Sequence, residues 1–170
     1  GSETGGLASV GVEQVILWDP PVIVTNDPNF YASVFKDPVW STSRKLAGEF
    51  RFRGDTVFVI ANHFDSKGGD QNADGRFQFP AQSSAVQRAG QAQVVHDFVE
   101  RILDVDRKAD VVVLGDLNDF QFSPSVAALR TGTADGSGPS ILTDLIATLP
   151  TDQQYTYVFN GVSQVLDHIL

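Results

Sequence analysis

Short apolar runs alternate with long polar stretches along the chain, and their spacing predicts the elements. Val15-Ile16-Leu17-Trp18 is an apolar run stopped by Asp19-Pro20-Pro21, and Val22-Ile23-Val24 resumes it; both read as strand. Leu46 to Arg53 and Thr56 to Asn62 flank the turn residues Gly54-Asp55. In the first arm Phe50 and Phe52 alternate with Arg51 and Arg53, the pattern of a half-buried strand. Val57 to Ala61 is apolar throughout, as a central strand covered on both faces would be. A helix is predicted from about Ser83 to Val105. Val86, Ala89, Gln93 or Val94, Asp97 or Phe98 and Ile102 fall at helical spacing there, with Val95 and Leu103 widening the stripe. Val111 to Leu114 reads as a second buried strand, and Pro124 opens a short helix reaching Leu129. An apolar segment follows from Leu142 to Leu149. Thr156 to Phe159 and Gln164 to Leu170 then read as two strands joined around Asn160-Gly161.

The remaining segments are polar or Gly-rich: a loose lead-in over residues 1–12, a loop over 25–43, a second over 66–82 and a third over 131–140. Strands, a long helix and a further strand define an α/β domain without repeats, and 170 residues suit one domain, 1–170. With no Cys, neither a disulfide frame nor a thiolate metal site can form. No apolar run approaches the roughly 18–20 residues that span a bilayer, so no membrane span is expected. There is no Met, and Gly1-Ser2 reads like a processing scar, so the chain is expected to be a piece of something longer. Unpaired sheet edges in such a piece favour self-association.

Charge narrows the function. Twelve Lys and Arg stand against 21 Asp and Glu, a net of −9. A passive nucleic-acid binder usually presents a basic face, so that class is disfavoured. A metalloenzyme is disfavoured less, because carboxylates serve as ligands and the cation supplies positive charge.

Three apolar runs end in residues suited to phosphate or metal chemistry. Val57 to Ala61 leads into Asn62-His63, Val111 to Leu114 into Gly115-Asp116-Leu117-Asn118-Asp119, and Val165-Leu166 into Asp167-His168. Strand ends of α/β sheets are where loops place reactive groups. Hydrolysis of a phosphodiester needs a cation on its oxygens, an oriented water with a base, and donors for the developing charge. Asp, Asn and His supply those roles, and oxygen ligands without Cys favour Mg²⁺, Mn²⁺ or Ca²⁺. Each segment taken singly is more often a turn, a cap or a satisfied polar pair. His96 reads as a surface or partly packed helix residue. Phe77 and Phe79 serve equally as base-stacking groups or loop anchors.

The segments also match one family pattern. Gly115-Asp116-Leu117-Asn118 resembles the Gly-Asp-x-Asn motif of the endonuclease/exonuclease/phosphatase superfamily, and Asn62-His63-Phe64-Asp65-Ser66-Lys67 resembles its Asn-His strand end in the form found in bacterial extracellular nucleases. Ser163 to Leu170 resembles their late Ser-Gln-x-Leu-Asp-His-Ile-Leu strand, and Ser43-Arg44 with Leu46 to Phe50 resembles their Ser-Arg and Leu-Ala-Gly-Glu-Phe strand. The resemblance implies a four-layered α/β/β/α sandwich with two mixed sheets, incomplete in this chain. It implies a secreted or cell-surface, Mg²⁺-type phosphodiesterase, most often a nuclease of DNA or RNA. By position His63 would contact the scissile phosphate, Asp116 and Asn118 would orient water and phosphate, and Asp167 would support a further His. Asp116 would also touch the metal, and Arg44, Asn62 and Lys67 would assist at the substrate. The family's principal Glu ligand and its last catalytic His have no counterpart here. Two alternatives stay open: a phospholipid or sugar-phosphate phosphoesterase of the same fold, and a non-catalytic binding module.

Overall fold

The computed structural model describes residues 11–18, 21–22, 45–52, 55–72 and 74–170. The strands are β1 (Gly11–Trp18), β2 (Pro21–Val22), β3 (Lys45–Phe52), β4 (Asp55–His63), β5 (Asp110–Asp116), β6 (Tyr157–Phe159), β7 (Val162–Gln164) and β8 (Asp167–Ile169); the α-helices are α1 (Ser83–Val105) and α2 (Pro124–Thr131). Six strands form one mixed sheet in the order β2-β1-β3-β4-β5-β8, and β6-β7 form a separate ribbon. Within the larger sheet β4 and β5 run parallel and every other pairing is antiparallel. A parallel pair needs a crossover of a dozen residues or more, and α1 supplies it.

The pleat decides which side chains meet the helices. Phe58 and Ile60 of β4 lie beside Val111 and Val113 of β5, and Ala47 of β3 lies beside Ile60. All five pack with Ala92, Val95, Phe98, Val99 and Ile102 of α1 and Val126, Ala128 and Leu129 of α2. Both helices therefore cover one face of the sheet. Burial of this apolar set contributes about 25 cal/mol per Å², the main term holding the unit together.

The α/β class is as the patterning predicted, and among the described residues the second sheet is the β6-β7 ribbon. Several details differ. Strand β4 is not sealed on both faces: Val57, Val59 and Ala61 remain half-buried opposite the helices. Helix α1 has the expected bounds, and Val95, Phe98 and Ile102 of the expected stripe are buried, but the stripe departs in the first turns. Its buried residues are Ser84, Arg88, Gln91, Ala92, Val95, His96, Phe98, Val99 and Ile102, while Val86 is 77% exposed. Polar groups with partners, Ser84 and Arg88, occupy the first turns of that face, so apolar spacing misplaced its start. His96 is buried, with Nδ1 3.0 Å from the Leu129 carbonyl oxygen. The segment Gln164 to Leu170 divides, because β7 closes the ribbon and β8 joins the main sheet beside β5. The apolar stretch at Leu142–Leu149 carries a 3₁₀ turn, Leu145–Thr148, instead of a longer element. Gly11 and Val12, assigned to the lead-in, belong to β1. The predicted loop over 25–43 lies outside the described residues.

Candidate active site

The ends of β4, β5 and β8 meet at one rung. His63 pairs with Asp116 across the parallel ladder, and Asp116 pairs with Asp167 across the antiparallel one. Paired residues project to the same side of a sheet. His63, Asp116 and Asp167 therefore stand side by side on the face opposite the helices. His63 Nε2 lies 3.8 Å from Asp116 Oδ2, too far for a hydrogen bond, and both side chains reach solvent. Each keeps its polar edge available to a third group.

The Gly115–Asp119 segment is built to hold that edge still. Asp116 Oδ1 accepts the Asn118 N–H at 2.8 Å, which locks the carboxylate over its own turn. Asn118 adopts φ +50°, a left-handed conformation that Asn tolerates better than most residues. Its Nδ2 donates to the Phe64 carbonyl oxygen at 3.0 Å, while the Phe64 N–H donates to the Asp116 carbonyl oxygen at 2.9 Å. The two strand ends are thus laced together. Gly115 makes this approach feasible: at φ +129°, a Cβ there would lie 2.0 Å from the Asn62 carbonyl oxygen.

Asn62 does not join the group. Neighbours along a strand alternate faces, so it points away from His63, is 6% exposed, and donates through Nδ2 to the Ile60 carbonyl oxygen. The expectation that it assists at the substrate is corrected on that ground. Lys67 is engaged as well: its Nζ lies 3.3 Å from Asp119 Oδ1 and 3.9 Å from the centroid of the Phe120 ring. It braces the turn after Asn118, and its amine is shared with a carboxylate. Arg44 lies outside the described residues.

Further polar side chains, several of them buried, support the site from behind. Asp119 Oδ2 accepts from buried Arg88 Nε at 2.9 Å and from Ser125 Oγ at 2.8 Å. Burial pushes the Asp119 pKa up, but the Arg88 and Ser125 hydrogen bonds and the Arg88 and Lys67 charges outweigh it and hold it below the usual carboxylate value. Arg88 Nη1 also donates to the Asp65 carbonyl oxygen at 3.2 Å and to Ser84 Oγ at 2.8 Å, and the Ser84 hydroxyl and N–H both bond Asp70. This chain of contacts ties the loop after β4 to α1. On the helix side of β8, His168 Nδ1 lies 2.9 Å from Asp144 Oδ2 and Nε2 lies 2.9 Å from the Asp119 carbonyl oxygen. A carboxylate oxygen and a carbonyl oxygen can both accept, so the geometry accommodates a ring that donates from both nitrogens. Burial pushes the His168 pKa down, yet the bonds to Asp144 and the Asp119 carbonyl, with the Asp144 and Asp167 charges, raise it above 6.5. A charged residue on an otherwise buried helix stripe was the one available signal for Arg88.

Beside Asp167 a groove of about 360 Å³ opens between the Leu145–Thr148 turn and β8, walled by Leu145, Ile146, Leu149 and Ile169 with Thr156 at its edge. The Thr156 hydroxyl accepts the N–H groups of Leu166 and Asp167 at 3.0 and 3.1 Å. Among the described residues no three His, Asp or Glu side chains converge as a metal site. Asp116, with Oδ1 already bonded and its side chain 38% exposed, suits one position of a hard-cation site that the described residues do not complete. No helix among them is long and apolar enough to cross a membrane.

A mixed α/β sheet with an imidazole and two carboxylates at adjoining strand ends defines a class of α/β protein whose polar site sits at the sheet's end. The chain belongs to the Endonuclease/Exonuclease/phosphatase family, whose model matches residues 9–170. No curated protein matches it significantly. Among solved structures it resembles TDP2 of D. rerio complexed with single strand DNA product, at 16% identity and a TM-score of 0.55, covering 96% of this chain and 53% of that one. It also resembles the human Nocturnin catalytic domain with bound sulfate, at 14% identity, a TM-score of 0.51 and 75% and 40% coverage. Sphingomyelinase C from Streptomyces griseocarneus follows at 19% identity, a TM-score of 0.50 and 76% and 42% coverage. At such identities the likeness shows the fold. The chain spans about half the length of the TDP2 structure.

Proposed function

We propose that the chain contributes to the active site of a metal-dependent phosphodiester hydrolase acting on nucleic acid. The observation that carries this reading is the single rung shared by His63, Asp116 and Asp167. A phosphodiester resists attack because its own charge repels the nucleophile, so a useful site must donate to the phosphoryl oxygens and hold a water. His63 is placed to donate from Nε2 to a non-bridging oxygen as charge grows there. Asp116, fixed by the Asn118 N–H, is placed to accept a proton from the attacking water through Oδ2. Asn118 keeps the turn in register, with one amide N–H committed to Phe64. Asp167 adds a second acceptor beside Asp116. A Mg²⁺ or Mn²⁺ ion at Asp116 would neutralise phosphate charge. With a net charge of −9, such a cation would ease the approach of an anionic substrate.

Nucleic acid is favoured over other phosphoesters by the TDP2 likeness, since that protein was captured with single strand DNA product. The test is nicking of supercoiled plasmid with Mg²⁺ or Mn²⁺, beside a chelated control and the Asp116→Ala variant. Nicking that needs the metal and falls by about 100-fold or more in the variant is expected, within the range for a general base or an electrostatic group. Activity undiminished by Asp116→Ala refutes the assignment. Hydrolysis confined to phospholipids would move the reading to a lipid phosphodiesterase.

A further inference from the structure

Two residues beyond Asn118 the chain makes a tight turn, with the Ser123 N–H donating to the Phe120 carbonyl oxygen at 2.9 Å. The Phe120 and Phe122 rings stack there, with centroids 5.3 Å apart and planes 23° from parallel. The Lys67 ammonium sits over the Phe120 ring, and Phe122 is 78% exposed. A large ring left in water is unremarkable when it stands alone. This one is held. Before the turn, Asp119 is anchored by buried Arg88; after it, the Ser123 hydroxyl accepts the Val126 N–H and caps α2. The pair is therefore ordered without a ligand, so a ligand loses little freedom to it on binding.

We propose that Phe120 and Phe122 form a stacking platform for an unpaired nucleobase flanking the phosphate held at His63 and Asp116. The inference rests on the phosphodiesterase reading above and adds a preference for strands with an unpaired base beside the bound phosphate. Phe122 is four positions after Asn118, so their Cα atoms are at most about 14 Å apart even at full extension. Every base offers a π face, so such a platform tolerates sequence. A duplex keeps its bases stacked on each other and presents no free face. Lys67 polarises the inner ring and, through Asp119, ties the platform to the motif that carries Asp116. The exposed Phe77 and Phe79 lie on a separate loop and play no part in this assignment.

Fluorescence anisotropy with two labelled, phosphorothioate-linked single strands of equal length tests the platform. One carries thymine throughout and the other is abasic, so the two differ only in their bases. The chain is expected to bind the thymine strand about tenfold or more tightly than the abasic one, the size of effect known for removal of a stacking aromatic. Phe122→Ala should bring that ratio close to one, and Phe122→Trp should keep or enlarge it, with both variants folded by circular dichroism. A ratio near one in the native chain, a ratio insensitive to Phe122→Ala, or binding of neither strand overturns the proposal. Plasmid nicking judges the underlying reading separately: nicking lost with Asp116→Ala, together with a ratio of one, sinks the platform and leaves the hydrolase standing.

Discussion

Asp144→Asn isolates the buried pair behind the motif. In the native chain the Asp144 and His168 side chains are 2% and 0% exposed, with 2.9 Å between Oδ2 and Nδ1. The substitution keeps the shape and removes the carboxylate that raises the His168 pKa. Breaking a buried ion pair from one side costs about 3–5 kcal/mol. For a domain of this size each kcal/mol lowers the melting temperature by about 2–4 °C, so a fall of about 10 °C is expected. The pH dependence carries the sharper test. The folded His168 pKa is raised above 6.5, so the pair's contribution is fully present below the unfolded value and is lost as pH rises through the folded one. The native chain should therefore exceed the variant most at acid pH, with the gap narrowing towards alkaline pH. Thermal unfolding by circular dichroism, run at steps from about pH 5.5 to about pH 9, starts below the ordinary His pKa and continues well above it. Taking the difference between the two proteins removes titrations they share. A gap that is flat across this range, or one that widens as pH rises, refutes the coupling of His168 to Asp144.

Two further substitutions test the scaffold. Arg88→Met would leave the Asp119 carboxylate buried without its main partner, at a cost of about 3 kcal/mol, and would free the Asp65 carbonyl that Arg88 holds. Limited proteolysis should then cut within the loop after β4, and an uncut loop would show that Arg88 is not its anchor. Val86→Lys should change stability by no more than about 0.5 kcal/mol, because Val86 is exposed, while Val99→Lys should prevent folding. Equal denaturant midpoints for the two would contradict the phase assigned to α1.

Much of the frame was legible because it rests on local rules. The β3–β4 hairpin, the bounds of α1, the start of α2 at Pro124 and the Asn160-Gly161 turn all follow from spacing and turn chemistry. The segments bearing His63, Asp116 and Asp167 were also legible, as polar residues closing apolar runs and as pieces of a family pattern. Asn62 was misplaced because one step along a strand reverses the face, and adjacency in sequence conceals that. The pairing of Lys67 with Asp119 was not legible, because the two lie 52 positions apart.

The sequence by itself therefore determined the class of fold, the strand ends that bear His63, Asp116 and Asp167 and the turn after Asp116, since each is set by residues within a few positions of one another. Tertiary structure alone decided the rest. It set the common rung of β4, β5 and β8, the buried Arg88–Asp119 and Asp144–His168 pairs, and the exposure of Phe122 beside the motif. These depend on register between distant strands and on charges desolvated together, and both are fixed only when the sheet has formed and the helices have closed over one of its faces.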